Sequence, residues 1–110
     1  MKRVLFVPEV RQYFKTLIPT LYNLEYFGYL EGSRKYVKEL VDDIMTNLPS
    51  RPHKPAPAYF DKYGTGMYYA TFKKNRQTMW YAFFTKYDEN GDTIYLVQYI
   101  ANNHTVAHHL

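Results

Sequence analysis

The side chains with most chemistry to offer fall in two places. Lys73, Lys74 and Arg76 cluster in the run Lys73-Lys74-Asn75-Arg76, and His104, His108 and His109 lie near the C-terminus. Cleaving RNA without a metal requires three things: the 2′-hydroxyl deprotonated, the charge developing on the scissile phosphate stabilised, and the leaving 5′-oxygen protonated. Lys73, Lys74 and Arg76 are candidates for the phosphate, and a histidine, with an unperturbed pKa of about 6.5, suits proton transfer. His104 is the first choice of base because it follows the last predicted strand directly; His108 is the second. The same residues have plainer uses. A Lys-Lys-Asn-Arg turn also serves as a solvated hairpin tip that discourages aggregation, and terminal histidines are commonly frayed and inert. His104 and His108 have the i, i+4 spacing of a metal pair, but no third ligand beyond His53 is evident, so no metal and no cofactor is assigned.

Charge is unevenly placed. Residues 1 to 50 carry seven basic and six acidic side chains. From Arg51 to Lys86 there are seven basic residues against Asp61 alone, and from Tyr87 onward three acidic residues and no Lys or Arg. A basic middle rich in rings is the footprint of contact with a polyanion such as RNA, which makes Arg51, Lys54 and Lys62 candidate backbone contacts. Tyr69, Tyr81 and Tyr99 are candidate stacking surfaces for bases, at about 1–3 kcal/mol per base. Ring pairing across strands and basic loops that keep an aromatic chain soluble are the structural alternatives.

Elements must hold these residues in place. Arg3-Val4-Leu5-Phe6-Val7 before Pro8 predicts an edge or first strand over 2–7. Val10, Tyr13, Phe14, Leu17, Ile18, Leu21 and Leu24 recur at the spacing of one helical face, with Pro19 expected to kink that helix or start a second piece. Gly28 and Gly32 punctuate the connection to a second helix with Ser33 as N-cap, whose apolar stripe is Tyr36, Val37, Leu40, Val41, Ile44, Met45 and Leu48. Residues 49–66, with four prolines, predict an extended connection packed down by Tyr59, Phe60 and Tyr63. Strands follow over Met67 to Lys74, Met79 to Tyr87 and Thr93 to Ile100, the last two joined by a turn containing Asn90-Gly91. Alternation assigns Tyr68, Ala70, Phe72, Trp80, Ala82, Phe84, Ile94, Leu96, Gln98 and Ile100 to a face under the helices. Tyr69, Thr71, Lys73, Tyr81, Phe83, Thr85, Tyr95, Val97 and Tyr99 then line an open face. The expected fold is α+β, in the order β-α-α-β-β-β, with two N-terminal helices packed on a mainly antiparallel sheet and a short C-terminal tail.

A chain of 110 residues is the size of a single domain. Thirteen tyrosines and seven phenylalanines predict a core built largely of rings with hydroxyls at its rim. No cysteine is present, which excludes disulfides and thiolate metal sites and fits a reducing cytosol. The four apolar residues between Arg3 and Pro8 are too few for a signal-peptide core, and no apolar run spans a membrane, so a cytoplasmic protein is expected.

The order and length of these elements resemble the RelE/ParE superfamily of bacterial type II toxins over essentially the whole chain. In particular, Arg51-Pro-His-Lys-Pro-Ala-Pro, Tyr59-Phe-Asp-Lys-Tyr-Gly, Gly66-Met-Tyr-Tyr-Ala-Thr-Phe-Lys-Lys-Asn and Tyr95-Leu-Val-Gln-Tyr-Ile-Ala-Asn-Asn-His are similar to a RelE-like group from Bacteroides-type bacteria. The resemblance implies a toxin neutralised by a cognate antitoxin protein. It implies one of two actions: metal-independent cleavage of mRNA on the ribosome, or, as in ParE-like members, inhibition of DNA gyrase. Several ribosome-dependent members end with a histidine near the C-terminus that acts in proton transfer, an arrangement that His104 resembles in position only. Nucleases of the superfamily also place arginines on or just after the last strand, where this chain has Gln98 and Asn102-Asn103. That difference keeps a non-cleaving gyrase inhibitor, or an inactive antitoxin-binding relative, open as the alternative.

Overall fold

The computed structural model describes residues 1–23, 30–74, 76, 78–106 and 110. Two helices lie on one face of a five-stranded mixed sheet, an α+β fold. The strands are β1 (Lys2–Phe6), β2 (Lys54–Pro55), β3 (Tyr68–Lys73), β4 (Met79–Glu89) and β5 (Asp92–Asn102), in the order β1-β5-β4-β3-β2. β1 runs parallel to β5, whereas the other neighbours are antiparallel. β4 and β5 meet at a two-residue Asn90-Gly91 turn in which both residues have positive φ, +51° and +84°. That is the turn whose twist matches a hairpin, and glycine at the second position removes its steric cost.

Helix α1 (Pro8–Asn23) begins with proline at its first position, where no backbone donor is needed. The Val7 carbonyl accepts from the backbone N–H groups of Val10 and Arg11. Pro19 starts no second piece: it lies inside one continuous helix, next to a Thr20 hydroxyl that donates to the Thr16 carbonyl. Val10, Phe14, Leu17 and Leu21 form the buried stripe; Leu24 and Gly28 lie outside the described residues. Helix α2 (Leu30–Asn47) starts earlier than its sequence suggests. Gly32 is therefore within the helix, and Ser33 is no N-cap but a buried residue of its first turns whose Oγ has no hydrogen-bond partner among the described residues. Ser33, Val37, Leu40 and Ile44 are the buried side of α2, and its Tyr36 hydroxyl accepts from the Trp80 indole N–H at 2.9 Å. A buried Trp with its one donor satisfied ties helix to sheet in register.

The two sheet faces differ from simple alternation at one residue. Phe83 pairs with Tyr99 but Phe84 with Val97, leaving Gln98 as the extra residue of a bulge. The slip reverses parity along β5. Tyr95 and Val97, predicted for the open face, pack in the helix-covered core with Ala70, Phe72, Trp80, Ala82, Phe84 and Ile100, and Ile94 and Leu96 leave that core.

The second face is only partly open. Within residues 49–66, expected to be extended, Ala58–Tyr63 form a 3₁₀ helix that lies on it. Phe60, Met67, Phe83 and Ala101 make a second core there, with Tyr69, Tyr81 and Tyr99 half-buried around it. The Phe60 and Phe83 rings stack at 4.4 Å and both are fully buried. The segment is stitched to the sheet by β2 pairing with Tyr68 and Tyr69 and by Ala56 N–H donating to the Met67 carbonyl.

Truncating a ring buried in a small core removes its burial energy and leaves a void. Phe60→Ala is therefore expected to destabilise the fold by about 3 to 5 kcal/mol, read from urea unfolding followed through Trp80 fluorescence. A loss within experimental error would mean that the 3₁₀ helix does not cover the sheet in solution.

Candidate functional site

The β3–β4 turn and the end of β5 bring the chemistry-bearing residues to one end of the sheet. Lys73 pairs with Met79 across the ladder, and the Met79 N–H donates to the Asn103 side-chain oxygen at 3.0 Å. His104 follows in the short helix α3 (Asn103–Val106), its backbone N–H donating to Asn102 Oδ1 at 3.0 Å. Two strand spacings separate β3 from β5, which puts the backbone of Lys73 about 10 Å from the end of β5, where the chain leaves the sheet just before His104. Lys73, Arg76 and His104 are all exposed. Among the described residues neither Lys73 nor Arg76 has a carboxylate partner, so both cations are free to meet an anion.

Other predicted contacts are drawn away from this end. Lys74 is turned towards α2, with its ammonium 3.9 Å from Glu39 and 5.2 Å from the centre of the Tyr36 ring. Arg51 lies over Phe72 at 5.1 Å and 3.9 Å from Asp43. Both therefore sit on the helix side of the sheet. Lys54 is exposed on the edge strand β2. Lys62 is exposed over the Tyr59 ring at 4.1 Å. His53 is wedged edge-on between the rings of Tyr68 and Phe84, at 5.3 and 5.4 Å, and its Nδ1 pairs with the Arg51 carbonyl at 3.2 Å, a packing role. His108 and His109 lie outside the described residues. Among those described, no group of three His, Asp or Glu side chains is placed to hold a metal ion, and no helix is long and apolar enough to cross a membrane.

The tyrosines divide in the same way. Tyr69 and Tyr81 are half-buried, 6.0 Å apart, on the face that leads from the 3₁₀ helix to Lys73. Tyr99 offers less ring, because Tyr63 stacks on it at 3.8 Å and only 4° from parallel. Burial first, then the hydrogen bond with the Tyr63 hydroxyl, hold the Tyr99 phenol well above its ordinary range. Burial also raises Tyr13. Both stay neutral at any physiological pH, so they serve as hydrogen-bonding phenols and not as phenolate bases.

A feature that motif reading missed lies beside Tyr99. β1 covers β5 only as far as Val97, and the chain then turns into α1. Beyond that point a cleft of about 530 Å³ opens, lined by Val7, Glu9, Val10 and Tyr13 from the α1 side, Lys62 and Tyr63 from the 3₁₀ helix, and Gln98, Tyr99 and Ile100 from β5. The sequence held one signal of it, a glutamine inside an apolar alternation. Gln98 Oε1 is buried with no hydrogen-bond partner among the described residues.

No family model, curated protein or solved structure matches this chain.

The raised phenol of Tyr99 links stability to alkaline pH. A folded-state pKa above the unfolded value, about 10 for tyrosine, gives stability that is complete below that pH and lost as pH rises towards the folded value. Unfolding free energy is expected to fall above about pH 10 and to fall less steeply in Tyr99→Phe. Identical pH slopes in the two proteins would refute the assignment of the shift to Tyr99.

Proposed function

We propose that this chain is the toxin of a type II toxin-antitoxin pair in the cytoplasm, a RelE/ParE-like protein that cleaves mRNA on the ribosome without a metal. The observation that carries the reading is the placement of Lys73, Arg76 and His104 at one sheet end, coupled through the Met79–Asn103 hydrogen bond. In this reading Lys73 and Arg76 hold the scissile phosphate and offset its developing charge, and His104 takes the 2′-hydroxyl proton. Tyr69 and Tyr81 flank the path as ring surfaces for neighbouring bases. The element order and the quoted sequence words support the family, and with it a cognate antitoxin.

One observation favours a second reading, in which the protein binds its target without cutting. Lys74 and Arg51 are committed to the helix side, and β5 and α3 carry no Lys or Arg. Fewer cations then face a transition state than phosphoryl chemistry ordinarily uses. A gyrase inhibitor, or a relative that only binds antitoxin, needs no such charge.

Induced expression in a bacterial host, with 5′-end mapping of ribosome-bound mRNA, separates the readings. Under the nuclease reading, induction arrests growth and creates new 5′ ends. His104→Ala lowers cleavage by about 10²- to 10⁴-fold, the usual contribution of a positioned acid or base. Lys73→Ala also lowers cleavage, whereas Lys74→Ala alone has little effect. Growth arrest without new 5′ ends, accompanied by inhibited supercoiling, would sink the nuclease in favour of gyrase.

A further inference from the structure

The cleft at the end of β1 has the makings of a ligand site separate from the sheet end. Its volume of about 530 Å³ lies within the range of roughly 300–1,000 Å³ typical of small-molecule pockets, and a mostly apolar lining with a few converging polar groups is their usual make-up. Tyr13 and Tyr63 line it from opposite layers of the fold, one from the helices and one from the 3₁₀ helix. Each is 37% exposed. The floor is the bulge at Gln98.

The polar groups narrow the ligand. Glu9 offers acceptors only, whereas Gln98 offers a donor and an acceptor on one planar amide. The Gln98 oxygen is buried with no donor among the described residues, a costly arrangement for an amide. Lys62 stands at the rim as an exposed cation that, among the described residues, has no carboxylate partner. Ring surfaces, a carboxylate, an amide and a cation together match a flat nitrogen heterocycle that carries adjacent N–H donors and an anionic tail.

We propose that this cleft binds a purine nucleotide with a guanine base. The guanine N1–H and N2–H donate to the Glu9 carboxylate, the Gln98 amide pairs with a further polar edge of the base, Tyr13 and Tyr63 border its faces, and Lys62 meets the phosphate. A Cβ on Gly64 would fall 2.9 Å from Gln98 Oε1 and 3.0 Å from Met67 Sδ, so a side chain at residue 64 would push the end of Gln98 out of its present position. The site does not depend on cleavage at the sheet end: a chain that cuts nothing can still hold a nucleotide here.

Titration of the purified full chain with GMP, followed by backbone-amide NMR shifts and calorimetry, tests this. Saturable shifts are expected at Tyr63, Gln98, Tyr99 and Ile100, with AMP about tenfold weaker, in line with discrimination of 1–3 kcal/mol by one good base-edge pair. Glu9→Gln, exposed and harmless to the fold, should abolish the preference for GMP over AMP. Lys62→Ala should weaken GMP but leave guanosine unchanged. Gly64→Ala, checked for native circular dichroism, should weaken both. The source of the base is read from a single-stranded oligonucleotide containing one guanine and its guanine-free counterpart. Guanine-dependent binding tighter than GMP identifies an RNA-borne base, and binding of GMP alone identifies a free nucleotide. No saturable shift with GMP, shifts confined to Lys73 and Arg76, or an affinity indifferent to both base and Glu9→Gln would overturn the proposal.

Discussion

The rest of the structure turns on one extra residue in a ladder. Phe83 opposite Tyr99 and Phe84 opposite Val97 leave Gln98 unmatched in β5, and because side chains alternate with period two, one unmatched residue exchanges the faces on either side of it. Before Gln98, Tyr95 and Val97 face the helices. After it, Tyr99 and Ala101 face the 3₁₀ helix Ala58–Tyr63. Without the slip, Val97 would be lost from under the helices or Tyr99 from its stack on Tyr63. The bulge thus lets one strand supply two cores.

The same slip explains why a chain so rich in rings needs three layers. Two helices can cover only one face of a five-stranded sheet, and the other face carries Tyr69, Tyr81, Phe83 and Tyr99. Leaving that much ring surface in water would invite association. The proline-rich segment covers part of it through Phe60, with Tyr63 stacked on Tyr99. What remains uncovered leads towards Lys73, and the uncovered aromatic area and the free cations therefore occur together.

Periodicity made much of this legible. The stripes Val10-Phe14-Leu17-Leu21 and Val37-Leu40-Ile44, the three long strands and the Asn90-Gly91 turn all follow from patterns of 3.6 and 2 that each element obeys alone. What was not legible depends on contacts between distant residues. A bulge leaves no mark in composition, so alternation carried through Gln98 put Tyr95 and Val97 on the wrong face. Ser33 has the chemistry of a cap, yet burial against the sheet side of α2 overrides it. Four prolines argued against a helix, but Ala58–Tyr63 falls just after the last of them, and Phe60 gains enough by burial to fold it. For the candidate site, sequence adjacency grouped Lys73 with Lys74, whereas strand alternation sends them to opposite faces, Lys74 towards Glu39 and Tyr36.

That division bears on chemistry as well as on fold. Long-range charge alone would make the span from Arg51 to Lys86 a uniform polyanion-binding surface, but geometry sorts it. Arg51 and Lys74 brace α2, Lys62 stands at the cleft, and Lys73 and Arg76 stand near His104. At ordinary ionic strength, screening over about 8 to 10 Å keeps such groups from acting as one field, so each local cluster must be judged by what it can contact. Among the described residues the sheet end offers cations and an imidazole. The cleft offers enclosure, an amide and a carboxylate but a single cation. Phosphate chemistry suits the first and base recognition the second. The bulge at Gln98 keeps both on one strand, since β5 passes from the cleft to Asn102 and the start of α3 in four residues.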